Sequence, residues 1–183
     1  MAPYLRHNKV KWKQSGEVYL WRYMCKGRAF QGTQLHFTAD PTGCDSLLSL
    51  SELLQTRALS HGLVVLSAAS DPITDWPGFQ CRKIRSFTKL RLSYQSQLPA
   101  DRFSLSFPRE DEVSLEAGRE MLEEFRRGLN DVKNGDGDWS IRDDSTGSSI
   151  WFWPLAGFRY SRYPSGKVSG RGFRGYRSGG HPH

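Results

Sequence analysis

Three sets of side chains have types and spacings that could do chemistry. The first is Cys44 with His36 and His61. A helix beginning at Cys44 would place the thiol in the positive field of the helix N-terminus, which favours a thiolate, with either histidine as a conceivable base. No third, orienting group stands at a convincing spacing, and a single cysteine at a helix start is ordinarily a small buried residue. The second set is the acidic turn, where Asn134, Asp136 and Asp138 would fill positions one, three and five of a calcium loop. Position six is then Trp139, where the sharp turn needs glycine, and position twelve is Ser145, where a bidentate glutamate belongs. A helix cap with solvated aspartates accounts for the same residues, and His181-Pro182-His183 is too small a set for a specific metal site. No metal and no cofactor are expected. The carboxylates show no placed acid and base pair, and there is neither a phosphate-cradling glycine loop before a helix nor H-E-x-x-H. The chain therefore reads as a binding protein, not an enzyme.

The third set is basic and aromatic. The net charge of +7 is unevenly spread. Residues 1–29 hold seven Lys and Arg against Glu17, residues 158–183 hold six with no acid, and residues 30–157 carry a net −5. In the N-terminal part, Lys9, Lys11 and Lys13 alternate with Val10 and Trp12, and after Gln14-Ser15-Gly16-Glu17 a second alternation runs through Val18, Tyr19, Leu20, Trp21 and Tyr23. That is a hairpin pattern. Lysines interleaved with aromatics suit a phosphate backbone and stacked bases, with Lys9, Lys11 and Trp12 as the contacts; they also suit a guarded sheet edge. In the C-terminal part, Arg159, Arg162, Arg171, Arg174 and Arg177 are interleaved with Tyr160, Tyr163, Phe173 and Tyr176 among glycines and serines. Such a segment buries too little apolar surface to fold alone, and its composition resembles that of Arg/Gly-rich RNA-binding segments. The expected partner is RNA or another single strand, because rings can stack on unpaired bases.

The elements that position these groups follow from periodicity. Gly118, Leu122, Phe125, Leu129 and Val132 form one stripe of a helix predicted to begin after Ser114 as cap, with Glu116 in its first turn, and to end at Gly135. A second helix is expected from about Cys44 to Ala58, with Leu47, Leu50 and Leu54 inward. Alternation predicts strands over Thr33–Ala39, around Phe87–Tyr94 and over Phe103–Phe107, the last two pairing with each other. The continuous apolar run Gly62–Ala69 has the profile of a central strand, Ser70–Phe79 reads as a loop, and a brief strand at Val113 precedes the long helix. Trp139–Ile141 and Ser149–Trp153 read as a hairpin, with Ile150 and Phe152 on one face and Trp151 and Trp153 on the other. The order implies an α+β fold, a mostly antiparallel sheet with two helices on one face. It divides into a basic hairpin (1–32), a core domain (33–157) and a disordered tail (158–183).

The run Lys133-Asn134-Gly135-Asp136-Gly137-Asp138-Trp139-Ser140-Ile141, followed by Ile150-Trp151-Phe152-Trp153, resembles a family of small bacterial domains of unknown function. The likeness extends upstream to Leu35–Asp40 and Cys44–Leu48 and so covers about 33–154. It brings no activity, although some such domains resemble immunity proteins in being small and free-standing. That analogy gives a second reading: a module covering a basic protein partner through its acidic middle and a Trp139, Trp151, Trp153 surface. Three widely spaced cysteines without a C-x-x-C pair fit a reducing cytoplasm. Met1–Gln14 lacks the apolar stretch of a signal peptide, and no run is long enough for a membrane span.

Overall fold

The computed structural model describes residues 11–23, 33–57, 59–69, 84–136 and 139–155. Its elements in chain order are β1 (Val18–Tyr23), β2 (Gln34–Ala39), α1 (Pro41–Gln55), β3 (Gly62–Val65), β4 (Ile84–Ser86), β5 (Lys89–Tyr94), β6 (Phe103–Arg109), β7 (Glu112–Ala117), α2 (Arg119–Asn134), β8 (Trp139–Asp143) and β9 (Ser148–Phe152). The fold is α+β, as expected, but the strands make two sheets, and both are mixed. One has the order β4-β1-β2-β9-β8 and the other β3-β5-β7-β6. The parallel pairs are β2 with β9 and β5 with β7.

Besides the two helical connections, β2–α1–β3 and β7–α2–β8, two stretches pass from one sheet to the other in extended chain. The expected central strand over Gly62–Ala69 is an edge strand for its first four residues, with Leu63 and Val65 exposed and Val64 buried. It then crosses over: the Leu66 N–H donates to Thr88 O, and the Ser67 N–H donates to Val18 O on β1 at 2.8 Å. The run is apolar throughout because it serves two sheets in succession, not because one strand is covered on both faces. The second crossing is at Phe87, whose N–H donates to Leu20 O at 3.0 Å and which lies between β4 and β5.

β5 and β6 do not pair with each other. Both pair with β7, which returns from β6 through the turn at Glu110-Asp111 and inserts between them. β6 continues through Pro108 with a register shift between Ser106 and Arg109, tolerable because it is an edge strand and proline lacks the ladder donor. β7 also corrects the predicted helix start. Val113, Leu115 and Ala117 are buried at a period of two, and the helix begins only after Gly118, its N-cap. Leu122, Phe125, Leu129 and Val132 are its buried stripe, as predicted.

α1 starts three residues earlier than expected. Asp40 is the cap, accepting from the Gly43 N–H at 2.5 Å, and Pro41 occupies the first turn, where its missing N–H costs nothing. Both helices bury their apolar stripes in a single core between the sheets, α2 over β8, β9 and β2, and α1 beside it against β2 and β5. α2 comes close enough to β9 that a Cβ at Gly128 would stand 2.8 Å from the Phe152 ring. Gly128→Ala is expected to lower the unfolding free energy by about 1 to 3 kcal/mol, despite a helix-propensity gain of about 1 kcal/mol, as read from urea denaturation.

The expected N-terminal hairpin does not form over the described residues. Residues 11–17 are not a strand, and β1 pairs with β2 and β4 inside the five-stranded sheet. No helix among the described residues is long and apolar enough to cross a membrane.

Candidate functional site

The tryptophan hairpin forms as read, and its alternation places Ile150 and Phe152 in the main core. On the other face of the sheet, Trp21, His36 and Trp151 are neighbours in register across β1, β2 and β9. His36 lies between two indoles, its ring centre 5.8 Å from that of Trp21 and 6.0 Å from that of Trp153, nearly parallel to both. Tyr23 meets it edge-on at 4.6 Å, and Trp151 stacks on Trp153 at 6.2 Å. The Trp153 indole N–H donates to His36 Nδ1 at 2.9 Å, and the Thr38 hydroxyl donates to Trp153 O at 2.7 Å. An Nδ1 that accepts belongs to neutral imidazole with its proton on Nε2.

This cluster splits the three tryptophans expected to share a docking surface. Trp153 is buried and Trp151 is half-buried, with its indole N–H donating to Ser149 Oγ at 3.1 Å. Trp139 is the register partner of Phe152 and packs against the main core on the opposite face. Sequence periodicity could separate the faces of β9, but not show how far the second face is covered.

The nucleophile constellation does not assemble. Cys44 is fully buried in the main core, and burial, with Asp40 and Asp45 adding, pushes its thiol up to about 12. That reverses the thiolate expected from the helix dipole. His36 belongs to the opposite face of β2, and His61 is exposed beside Ser60. The acidic turn is a helix cap: Gly135 has φ 77°, its N–H donates to Val132 O at 3.1 Å, and the Asp136 N–H donates to Asp131 O at 2.9 Å. Asp138 lies outside the described residues. Among the described residues no group of three or more His, Cys, Asp and Glu is placed to hold a metal.

The N-terminal basic segment instead lies across α1. The Trp12 indole N–H donates to Ser46 O at 3.0 Å, and the Ser15 N–H donates to Ser46 Oγ at 3.1 Å. The Gln14 amide bonds Val65 twice, donating to its O at 2.8 Å and accepting from its N–H at 2.7 Å. Trp12 is thereby half-buried while Lys11 and Lys13 stay exposed on either side of it. The three border an open recess of about 360 Å³ against Asp45 and Ser49. Asp45 is paired with Lys133 at 2.5 Å. Lys9 and the tail residues Arg159, Tyr160, Arg162, Tyr163, Arg171, Phe173, Arg174, Tyr176 and Arg177 lie outside the described residues.

No family model matches the chain, and no curated protein or solved structure matches it either.

The His36 cluster carries a pH dependence. Burial lowers the His36 pKa to about 4, so the folded state holds it neutral while the unfolded chain takes up a proton near the ordinary value. Its contribution is complete above the unfolded pKa and is lost as pH falls toward the folded one. Between pH 7 and 4.5 the loss should be about 2 to 3 kcal/mol in denaturant unfolding, and His36→Gln should remove that part of the acid sensitivity.

Proposed function

We propose that the protein is a cytoplasmic, non-enzymatic binding protein whose basic ends contact RNA or other single-stranded nucleic acid. The observation that carries this reading is the placement of Lys11 and Lys13, both exposed, on either side of Trp12 at the mouth of the recess beside α1. Trp12 is anchored through its indole N–H, so the two ammonium groups are offered from a fixed point of the fold and can neutralise neighbouring phosphates. The C-terminal sequence supports the same partner, with six cations and no acid over 158–183 and aromatic rings between the arginines. The alternative, a module covering a basic protein partner, loses support because Trp139 and Trp153 do not share an exposed surface with Trp151.

Anisotropy of a labelled single-stranded RNA across a salt series tests this. Removing two phosphate contacts with Lys11→Ala/Lys13→Ala should flatten the log–log salt slope by about 1.4 units, and a chain ending at Gly157 should flatten it by up to about four. Absence of binding by the full chain at low salt would reject the reading.

A further inference from the structure

At the far end of β1 from the Lys11–Lys13 recess, two arginines face each other. Arg22 and Arg85 are direct partners across β1 and β4, so both side chains leave the sheet on one face with like charges opposed. Arg85 is answered by Glu110, donating to its backbone O at 2.7 Å and meeting its carboxylate at 2.6 Å. That carboxylate is 88% exposed, so water screens the pair and holds it weakly. The other acids of the β6–β7 turn are engaged elsewhere, Asp111 with the Thr88 hydroxyl at 2.5 Å and Glu112 with Arg109 at 4.0 Å.

Arg22 has no such answer. Its guanidinium carbon lies 5.8 Å from the centre of the Phe107 ring, and its Nε is buried with no hydrogen-bond partner among the described residues. No carboxylate among the described residues pairs with it. Burial, and then the charge of Arg85, lowers its pKa. Arg126 makes the contrast: its Nε is also unpartnered, but its Nη1 reaches Glu123 and Gln55 at 3.2 Å. A half-buried guanidinium with a buried, unpartnered Nε, set against a second cation, raises the energy of the free protein, and a bound anion would relieve both costs at once.

We propose that Arg22 and Arg85, walled by Phe107, form a binding site for a phosphate group. Two guanidinium forks match a tetrahedral group carrying close to two negative charges, whereas a single carboxylate would leave one cation unanswered. Phe107, 38% exposed, leaves the site open to solvent on one side. The phosphate comes either as the terminal monoester of a nucleic-acid strand, since an internal diester carries one charge only, or on a small phosphorylated molecule. The site does not depend on the Lys11–Lys13 reading.

The test is calorimetric titration of the full chain with pyrophosphate at physiological salt, beside Arg22→Met and, as a control for loss of one surface cation, Arg119→Met at the exposed start of α2. Saturable uptake by the wild type should weaken at least about tenfold in Arg22→Met, because a charge-assisted hydrogen bond is worth that much, and should be unchanged in Arg119→Met. Without ligand, Arg22→Met should melt about 2 °C higher, since it removes the opposed charge and the unpartnered Nε. If Arg22→Met also weakens binding of a 5′-phosphorylated RNA by a similar factor, the phosphate is strand-borne; if that affinity holds while pyrophosphate affinity falls, the source is a small molecule. Equal pyrophosphate affinity in wild type and Arg22→Met, no saturable uptake at millimolar pyrophosphate, or a lower melting temperature for Arg22→Met would each overturn the proposal.

Discussion

β1 is buried, and the carbonyls of Val18 and Leu20 need donors that β2, on its other side, cannot all supply. Those donors are the N–H groups of Ser67 and Phe87, where extended chain passes between the sheets. The seam thus decides where β3 must stop, where β4 must bend into β5, and how the faces of the two sheets meet around one core. At one end of the seam Asp40 ties the strand to α1, its backbone N–H donating to Glu17 O at 3.0 Å and its carboxylate accepting from the Glu17 and Gly43 N–H groups. At the other end Arg22 and Arg85 come together. The arginine pair is therefore placed by this strand, while the Lys11–Lys13 segment is held by α1 and β3.

Much of this was legible because apolar periodicity survives folding. The stripe of α2, the faces of β9 and the cap at Gly135 follow from the spacing of Leu122, Phe125, Leu129 and Val132, from alternation at Ile150–Trp153, and from a glycine that must take a positive φ. The helix start was misread because Leu115, Gly118 and Leu122 keep helical spacing while Val113, Leu115 and Ala117 also keep strand spacing. Only the backbone pairing of β7 with two neighbours separates those readings, and backbone pairing leaves no mark on side-chain type. The β5–β6 pairing failed for the same reason: neighbours in sequence are a default, and β7 displaced it.

The candidate sites were less legible. Lys11 and Trp12 could be picked out by type, but not their position across α1, which depends on hydrogen bonds from Trp12 and Ser15 to Ser46 and from Gln14 to Val65. The opposition of Arg22 and Arg85 joins residues far apart in the chain and could not be inferred from either stretch. His36 shows the converse. Its sheet position was readable, but its neutral state and low pKa come from burial between indoles supplied by distant strands.

The Gln14 clamp has a colloidal side. Its amide takes from Val65 the two hydrogen bonds that an added strand would make, on an edge where Leu63 and Val65 are exposed. One side chain thus stands in for a neighbouring strand and discourages edge-to-edge strand pairing between copies of the molecule. Gln14 adjoins Lys13 in the segment proposed to grip RNA, so a ligand that lifted this segment from α1 would also unlatch the edge. On that proposal, protection of the sheet edge and ligand capture would rest on the same few residues.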